Sequence, residues 1–283
     1  MKLKLVQASQ GLQWVKQGLL ALRKQPMGYM GLLGLTGMLA LMLMALTGAA
    51  GPLLVVSLMP IAWTAFMVAT RRVVTGQRVS LGVFAEIFQS PPTIRRDLLL
   101  LGMAYAVATT GVIALASLLG PHADEVAQIT QDAEDMAEVL ANPMVQQDML
   151  LRLALTLPVS LVFWHAPGLI LWGRVPLAKA LFFSAVASWR NLGAFVLYGL
   201  GWGALMIAFA VVARLIGTVL PVQALMDGVA MIGGMALASA FYASLYFTVV
   251  DCFDGSSAAS GQAPELDGPE LNDAERREPP DQA

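Results

Sequence analysis

Six stretches of the chain are apolar for long enough to cross a hydrocarbon layer: about residues 27–49, 52–70, 98–119, 149–172, 192–213 and 224–250. A bilayer core about 30 Å thick takes roughly 20 apolar helical residues to traverse, because in lipid only a helix or a closed barrel pairs all its own backbone groups. Barrel strands alternate apolar and polar residues, and these runs do not. The pattern therefore predicts an all-α, polytopic membrane bundle of six transmembrane helices over residues 1–254.

Shorter amphipathic stretches separate the runs. Ser9 is placed to N-cap a helix in which Leu12, Val15, Leu19 and Leu22 recur at helical spacing opposite Gln13, Lys16, Gln17 and Lys24. A second follows Ser80 with Leu81, Phe84, Ile87 and Phe88, ending at Pro91 and Pro92. A third starts at Pro176, a residue favoured in a first helical turn, and carries Leu177, Leu181, Phe182 and Val186 towards Trp189 and Arg190. All three are expected to lie in the headgroup plane. The recurring order of interfacial helix, span, turn and span suggests three related hairpins, and Met27 to Leu35 echoes Leu192 to Leu200.

Residues 120–148 carry Asp124, Glu125, Asp132, Glu134, Asp135, Glu138 and Asp148, with Val126, Ile129, Ala133, Met136 and Leu140 as an apolar stripe. This reads as an acidic amphipathic helix outside the cytoplasm, stopped by Asn142-Pro143, and as a surface for a protein partner across residues 124–140. Residues 255–283 are rich in Ser, Gly, Pro, Asp and Glu without apolar periodicity, and are expected to form a disordered acidic cytoplasmic tail.

Charge sets the orientation. Lys2, Lys4, Lys16, Arg23 and Lys24 precede the first run; Arg71, Arg72, Arg78, Arg95 and Arg96 follow the second; Arg174, Lys179 and Arg190 follow the fourth. The alternate loops are nearly bare, with Arg152 and Arg214 alone near the other face. Cationic loops stay inside, so both termini are expected in the cytoplasm of a bacterial inner-membrane protein. Composition agrees: the chain is 57% hydrophobic and 13% charged, with a mean hydropathy of +0.68. Its one cysteine, Cys252, excludes an intrachain disulfide and a cysteine-held metal. The first run is longer than a signal h-region and is expected to be retained.

Candidate chemistry is sparse. His165 lies in the cytoplasmic half of the fourth run, where an ionisable group marks a site for a proton or an anion; the plainer reading is a neutral histidine bonded to a carbonyl freed by Pro167. No second His, Asp or Glu stands within a turn to make a relay, which favours the plainer reading. Arg214 and Asp227 are placed to pair at the outer face, pinning a hairpin or, as the alternative, forming a gate. Arg152 is expected to extend to the outer headgroups. Pro60, Pro158 and Pro167 interrupt helices, as transporters do and as ordinary spans tolerate. Ala236, Ala240, Ser244 and Thr248 form a small-residue stripe, and Gly199, Gly201 and Gly203 allow close approach, both for packing within the bundle. Trp14, Trp172 and Trp189 read as interfacial anchors.

No phosphate loop, nucleophile elbow, HExxH helix or EF-hand spacing is present, so neither enzyme, metal site nor cofactor is expected, and nothing points to nucleic acid. The expected partners are anionic membrane lipids, met by Lys16, Lys24, Arg71, Arg72, Lys179 and Arg190.

The opening MKLKLVQASQGLQWVKQGL and the central FWHAPGLILWGRVPLAKALFFSAVASWRNLGAFVLYGLGW resemble an uncharacterised family of proteobacterial inner-membrane proteins with six predicted spans. More distantly, residues 1 to about 250 are similar to the membrane domain attached to some glycerophosphodiester phosphodiesterases, without the catalytic domain. The resemblance implies an inner-membrane bundle and brings no catalytic residue with it. A non-enzymatic scaffold associated with lipid or envelope is the expected role; a transporter of small solutes or lipid, working through the span of His165 and Pro167, is the alternative.

Overall fold

The computed structural model describes residues 2–133, 136–219 and 223–254. Helix dominates. α1 (Gln10–Lys24) leads into α2 (Pro26–Thr47), a 3-10 turn (Gly48–Ala50) and α3 (Gly51–Val74). Then come α4 (Gly82–Phe88), α5 (Pro92–Leu119), α6 (Ala123–Asp132), α7 (Met136–Ala141), α8 (Pro143–Phe163), α9 (Ala166–Leu171), α10 (Leu177–Arg190), α11 (Leu192–Val219) and α12 (Gln223–Cys252). Two short strands, β1 (Lys2–Leu3) and β2 (Phe253–Asp254), pair antiparallel, with Lys2 opposite Asp254. The start of the chain is thus clasped to the end of α12, and Lys4 N–H extends the clasp to the Cys252 carbonyl at 2.9 Å.

Among the described residues, five helical segments are long and apolar enough to cross a membrane: Pro26–Val74, Pro92–Leu119, Pro143–Leu171, Leu192–Gly217 and Gly228–Cys252. The first folds back on itself. Gly48 takes φ +54°, a left-handed value that glycine adopts at little cost, and the Tyr29 hydroxyl near the start of α2 donates to Thr70 Oγ1 near the end of α3 at 3.0 Å. Thr70 in turn donates to the Ala243 carbonyl at 3.1 Å, tying this hairpin to α12.

Prolines start helices where the pattern allows, because the first helical turn has no use for the N–H they lack. Pro26, Pro92 and Pro143 do so here. Two helices therefore begin about six residues earlier than the apolar runs, since Arg95, Arg96 and Asp97, like Gln146 and Asp148, continue a helix beyond its apolar part. Asn142 stops the acidic segment as expected, its side chain accepting from Met144 N–H at 2.9 Å. The expected single acidic helix is instead divided into α6 and α7 by Ala133, which is extended; Glu134 and Asp135 lie outside the described residues, as does the tail 255–283.

α1 corrects another expectation. Its buried face is Gly11, Trp14, Val15, Gly18 and Ala21, while Leu12 of the anticipated lipid-facing stripe is exposed. The helix is wedged between α11 and α12: Gly11 lies against the Ala194 carbonyl and Tyr198, Gly18 against Ala240 and Ser244. Ser9 supplies no side-chain cap; the turn starts from backbone bonds to Gln7 and Ala8. The small residues Ala240, Ser244 and Thr248 of α12 are fully buried, so that stripe is used inside the chain. The buried core gathers at the clasped end, around Trp14, Phe66, Leu98, Leu169 and Tyr246. Towards the other end Leu41, Leu46, Leu118, Leu150 and Leu215 are exposed, as helices facing lipid should be.

Candidate functional site

The fourth run is broken: α8 ends at Phe163 and α9 opens at Ala166, with Pro167 in its first turn and His165 between the two. The break is bridged from α10. Ser184 Oγ accepts from the His165 backbone N–H at 2.9 Å and donates to the Leu161 carbonyl at 3.2 Å. A hydroxyl thus stands inserted in the bond that a continuous helix would make from residue 165 to residue 161, a recognised cause of helix kinks. Ser188 Oγ adds a second bond to the Leu161 carbonyl at 3.0 Å and lies 3.3 Å from His165 Nδ1.

The expectation that the His165 ring bonds the carbonyl freed by Pro167, that of Phe163, gives way to a different arrangement: among the described residues the ring lies against Ser188, and the serines of α10 serve the Leu161 carbonyl, which the His165 N–H has left for Ser184. Its ring is fully buried, edge-on to Phe195 and Phe253 with centroids 5.6 and 5.4 Å away. Nε2 meets no hydrogen-bond partner among the described residues. An imidazolium in that apolar box would have no counter-ion among the described residues, a costly arrangement, so the neutral ring is the one that fits.

Next to the histidine is a polar knot. Asn191, almost fully buried, accepts from Val6 N–H at 2.9 Å through Oδ1. Its Nδ2 donates to the Lys4 carbonyl at 3.1 Å, to the Ala187 carbonyl at 3.0 Å and towards Cys252 Sγ at 3.6 Å. One amide thus holds the N-terminal segment, the end of α10 and the end of α12. Asp251 Oδ2 completes the knot by accepting from Gln10 Nε2 and Trp14 Nε1, each at 2.7 Å. Ser184, Ser188 and Asp251 carry no signal by residue type, and only the four-residue spacing of the two serines points to them. Trp14 and Trp172 are buried and not interfacial anchors; Trp189, 73% exposed, fits that description.

The cations divide into two groups. Arg72 bonds the Gly82 carbonyl at 2.9 Å and Glu86 at 3.2 Å, and Arg71 lies 3.8 Å from the same carboxylate, so both brace α4 against α3. Lys16, Lys24, Lys179 and Arg190 are exposed. Arg152 is paired with Asp148 at 2.7 Å, one turn back on α8, in place of a simple reach towards headgroups. Arg214 is exposed, while the Asp227 side chain lies outside the described residues, so the expected pair is not described.

Among the described residues, cavities open near the cationic end of the bundle. One of about 200 Å³ has Asp97 and Arg174 in its wall, Arg174 standing in the left-handed position (φ 50°) that ends α9. Another, about 520 Å³, lies where α3, α4 and α5 meet.

The chain is 33% identical over 254 residues to a probable inner membrane protein of Burkholderia thailandensis, a match covering 88% of this chain and 92% of that protein. No protein-family model matches the chain, and no solved structure does.

Proposed function

The chain belongs to the family of that Burkholderia inner-membrane protein, and from this membership we propose a non-enzymatic, six-span inner-membrane scaffold whose cytoplasmic face grips anionic lipid. Six crossings are supported by the clasp. Lys2 stands beside Asp254, so the two ends of the bundle share a face, and a chain with both ends on one side crosses an even number of times. Counting Pro26–Val74 as the hairpin it forms turns five long apolar segments into six crossings. The cation bias of the loops at that face supports a cytoplasmic placement; in this reading α6 and α7, with Asp124, Glu125, Asp132 and Glu138, offer an acidic surface to a protein partner outside.

Topology is checked by single cysteines placed in a Cys252→Ser background. In intact cells a membrane-impermeant maleimide is expected to label Gln128→Cys and to reach Arg78→Cys only after permeabilisation. Labelling of both from outside would end the assignment.

The observation that carries the lipid role is the exposed face of α10. Phe182, Phe183 and Trp189 point outward there alongside Lys179 and Arg190, while Ala180, Ser184, Ala187 and Ser188 face the bundle. Exposed aromatics beside cations are the composition of a helix in the headgroup layer. Each cation near an anionic leaflet is worth about 1 kcal/mol. Lys179→Gln with Arg190→Gln is therefore expected to cut the enrichment of phosphatidylglycerol over phosphatidylcholine around the protein in mixed nanodiscs by up to about thirty-fold. An unchanged ratio would end the lipid-gripping role.

The transporter reading has less support: neither cavity described above is lined by His165 or Pro167, and the histidine is enclosed by Phe195, Phe253 and Ser188.

A further inference from the structure

The cavity of about 520 Å³ at the junction of α3, α4 and α5 is walled by Ile61, Ile87, Phe88 and Leu98, with Arg95 and Arg96 at its edge. That is within the range of sites that hold a small molecule, roughly 300–1,000 Å³. Its walls offer nothing for a polar solute to bond. The edge is the opposite. Arg95 and Arg96 are exposed, and unlike Arg71 and Arg72, which Glu86 engages, neither has an ion pair among the described residues. They are the fourth and fifth residues of the 28-residue α5, which starts with Pro92 and has no acid in its first turn. The positive end of the helix dipole adds potential where the two guanidinium groups already are.

An apolar slot ending in two cations and a helix start matches a molecule with a long hydrocarbon part and one anionic head. The geometry points to a specific site for one anionic phospholipid, with an acyl chain between α3 and α5 over Ile61, Ile87 and Leu98 and the phosphate bridged by Arg95 and Arg96. Basic pockets among helices at the cytoplasmic face are where such headgroups bind. The site deepens the lipid-gripping reading above and rests on it for the side of the membrane. It differs from the α10 surface in kind: it holds one lipid in a slot, where α10 enriches many.

The full chain, purified in mild detergent, is titrated with phosphatidylglycerol, phosphatidylcholine and oleic acid, and bound molecules are counted by native mass spectrometry. One phosphatidylglycerol is expected to bind more tightly than either competitor. Arg95→Gln with Arg96→Gln is expected to weaken it about thirty-fold, as two juxtamembrane cations would contribute, without changing the unfolding temperature. Equal retention of phosphatidylcholine, preference for oleic acid, or unchanged binding in the arginine variant would each overturn the site. Loss of the diffuse phosphatidylglycerol enrichment in Lys179→Gln with Arg190→Gln, with this single lipid kept, supports the two as separate. Loss of the single lipid in that variant would overturn the slot. A diffuse enrichment unchanged in the α10 variant alongside a phosphatidylglycerol held through Arg95 and Arg96 would sink the surface reading and leave the slot standing.

Discussion

Asn191→Ala is expected to destabilise the folded protein by on the order of 3 kcal/mol, an effect large against the roughly 1 kcal/mol of a typical substitution. The amide engages four partners on three separate pieces of chain, and its loss leaves Val6 N–H and the Lys4 carbonyl to find replacements inside a buried knot. An unsatisfied buried polar group costs about 1–3 kcal/mol, more than the bond itself contributed. Thermal unfolding in detergent should show the drop, and limited proteolysis should cut the first nine residues of the variant well before those of the parent. Equal melting and equal cleavage would mean that the clasp between β1 and β2 holds without the asparagine. Asn191→Asp is expected to do nearly as much damage, because a carboxylate cannot donate to the Lys4 and Ala187 carbonyls that Nδ2 now reaches.

Gly11→Leu is expected to expel α1 from the bundle. A Cβ at this position would run into the Ala194 carbonyl and come within 2.7 Å of the Tyr198 nitrogen, backbone atoms that cannot swing aside as a side chain can. Overpacking of this kind costs about 1–3 kcal/mol when the structure can adjust, and here adjustment means losing the Trp14 bond to Asp251 as well. Amide hydrogen exchange along Gln10–Lys24 should rise in the variant. Gly31→Leu is the matched control: a Cβ there meets nothing within 4 Å, so exchange in α1 should stay as it was. A similar response from both would show that the leucine acts on the helix in general and not on the groove between α11 and α12.

What could be read from the order of residues was whatever a single stretch decides by itself. Twenty consecutive apolar residues decide a membrane-length helix regardless of their neighbours, and Pro26, Pro92 and Pro143 mark helix starts by their own geometry. The stop at Asn142 is local too. What stayed hidden depends on partners far away in the chain. Leu12, Val15, Leu19 and Leu22 of α1 make a convincing lipid-facing stripe, but a second face with Gly11, Trp14 and Gly18 overlaps it, and α11 and α12 choose between the two. Trp172 looked like an anchor because tryptophan often is one; Tyr246 covers it edge-on at 5.6 Å. The candidate site divided the same way. His165 and Pro167 stood out by residue type, whereas Ser184 and Ser188, which do the bridging, are ordinary helix residues until the carbonyl of Leu161 is seen without its usual partner. Asp148 and Arg152, four apart on one helix, are a pair the spacing itself allows, and the bilayer-edge reading of Arg152 passed over it.

The pairing of Lys2 with Asp254 sets an order of events during synthesis. β1 is made well before β2, and every helix of the bundle lies between them in the chain. Until α12 has been inserted, Gln10 and Trp14 have no Asp251 to bond, so α1 waits unpaired at the membrane surface while the later helices go in. A segment made before the bundle is thus among the last to settle in it, and a chain cut short before Asp251 would leave the groove for α1 unfinished.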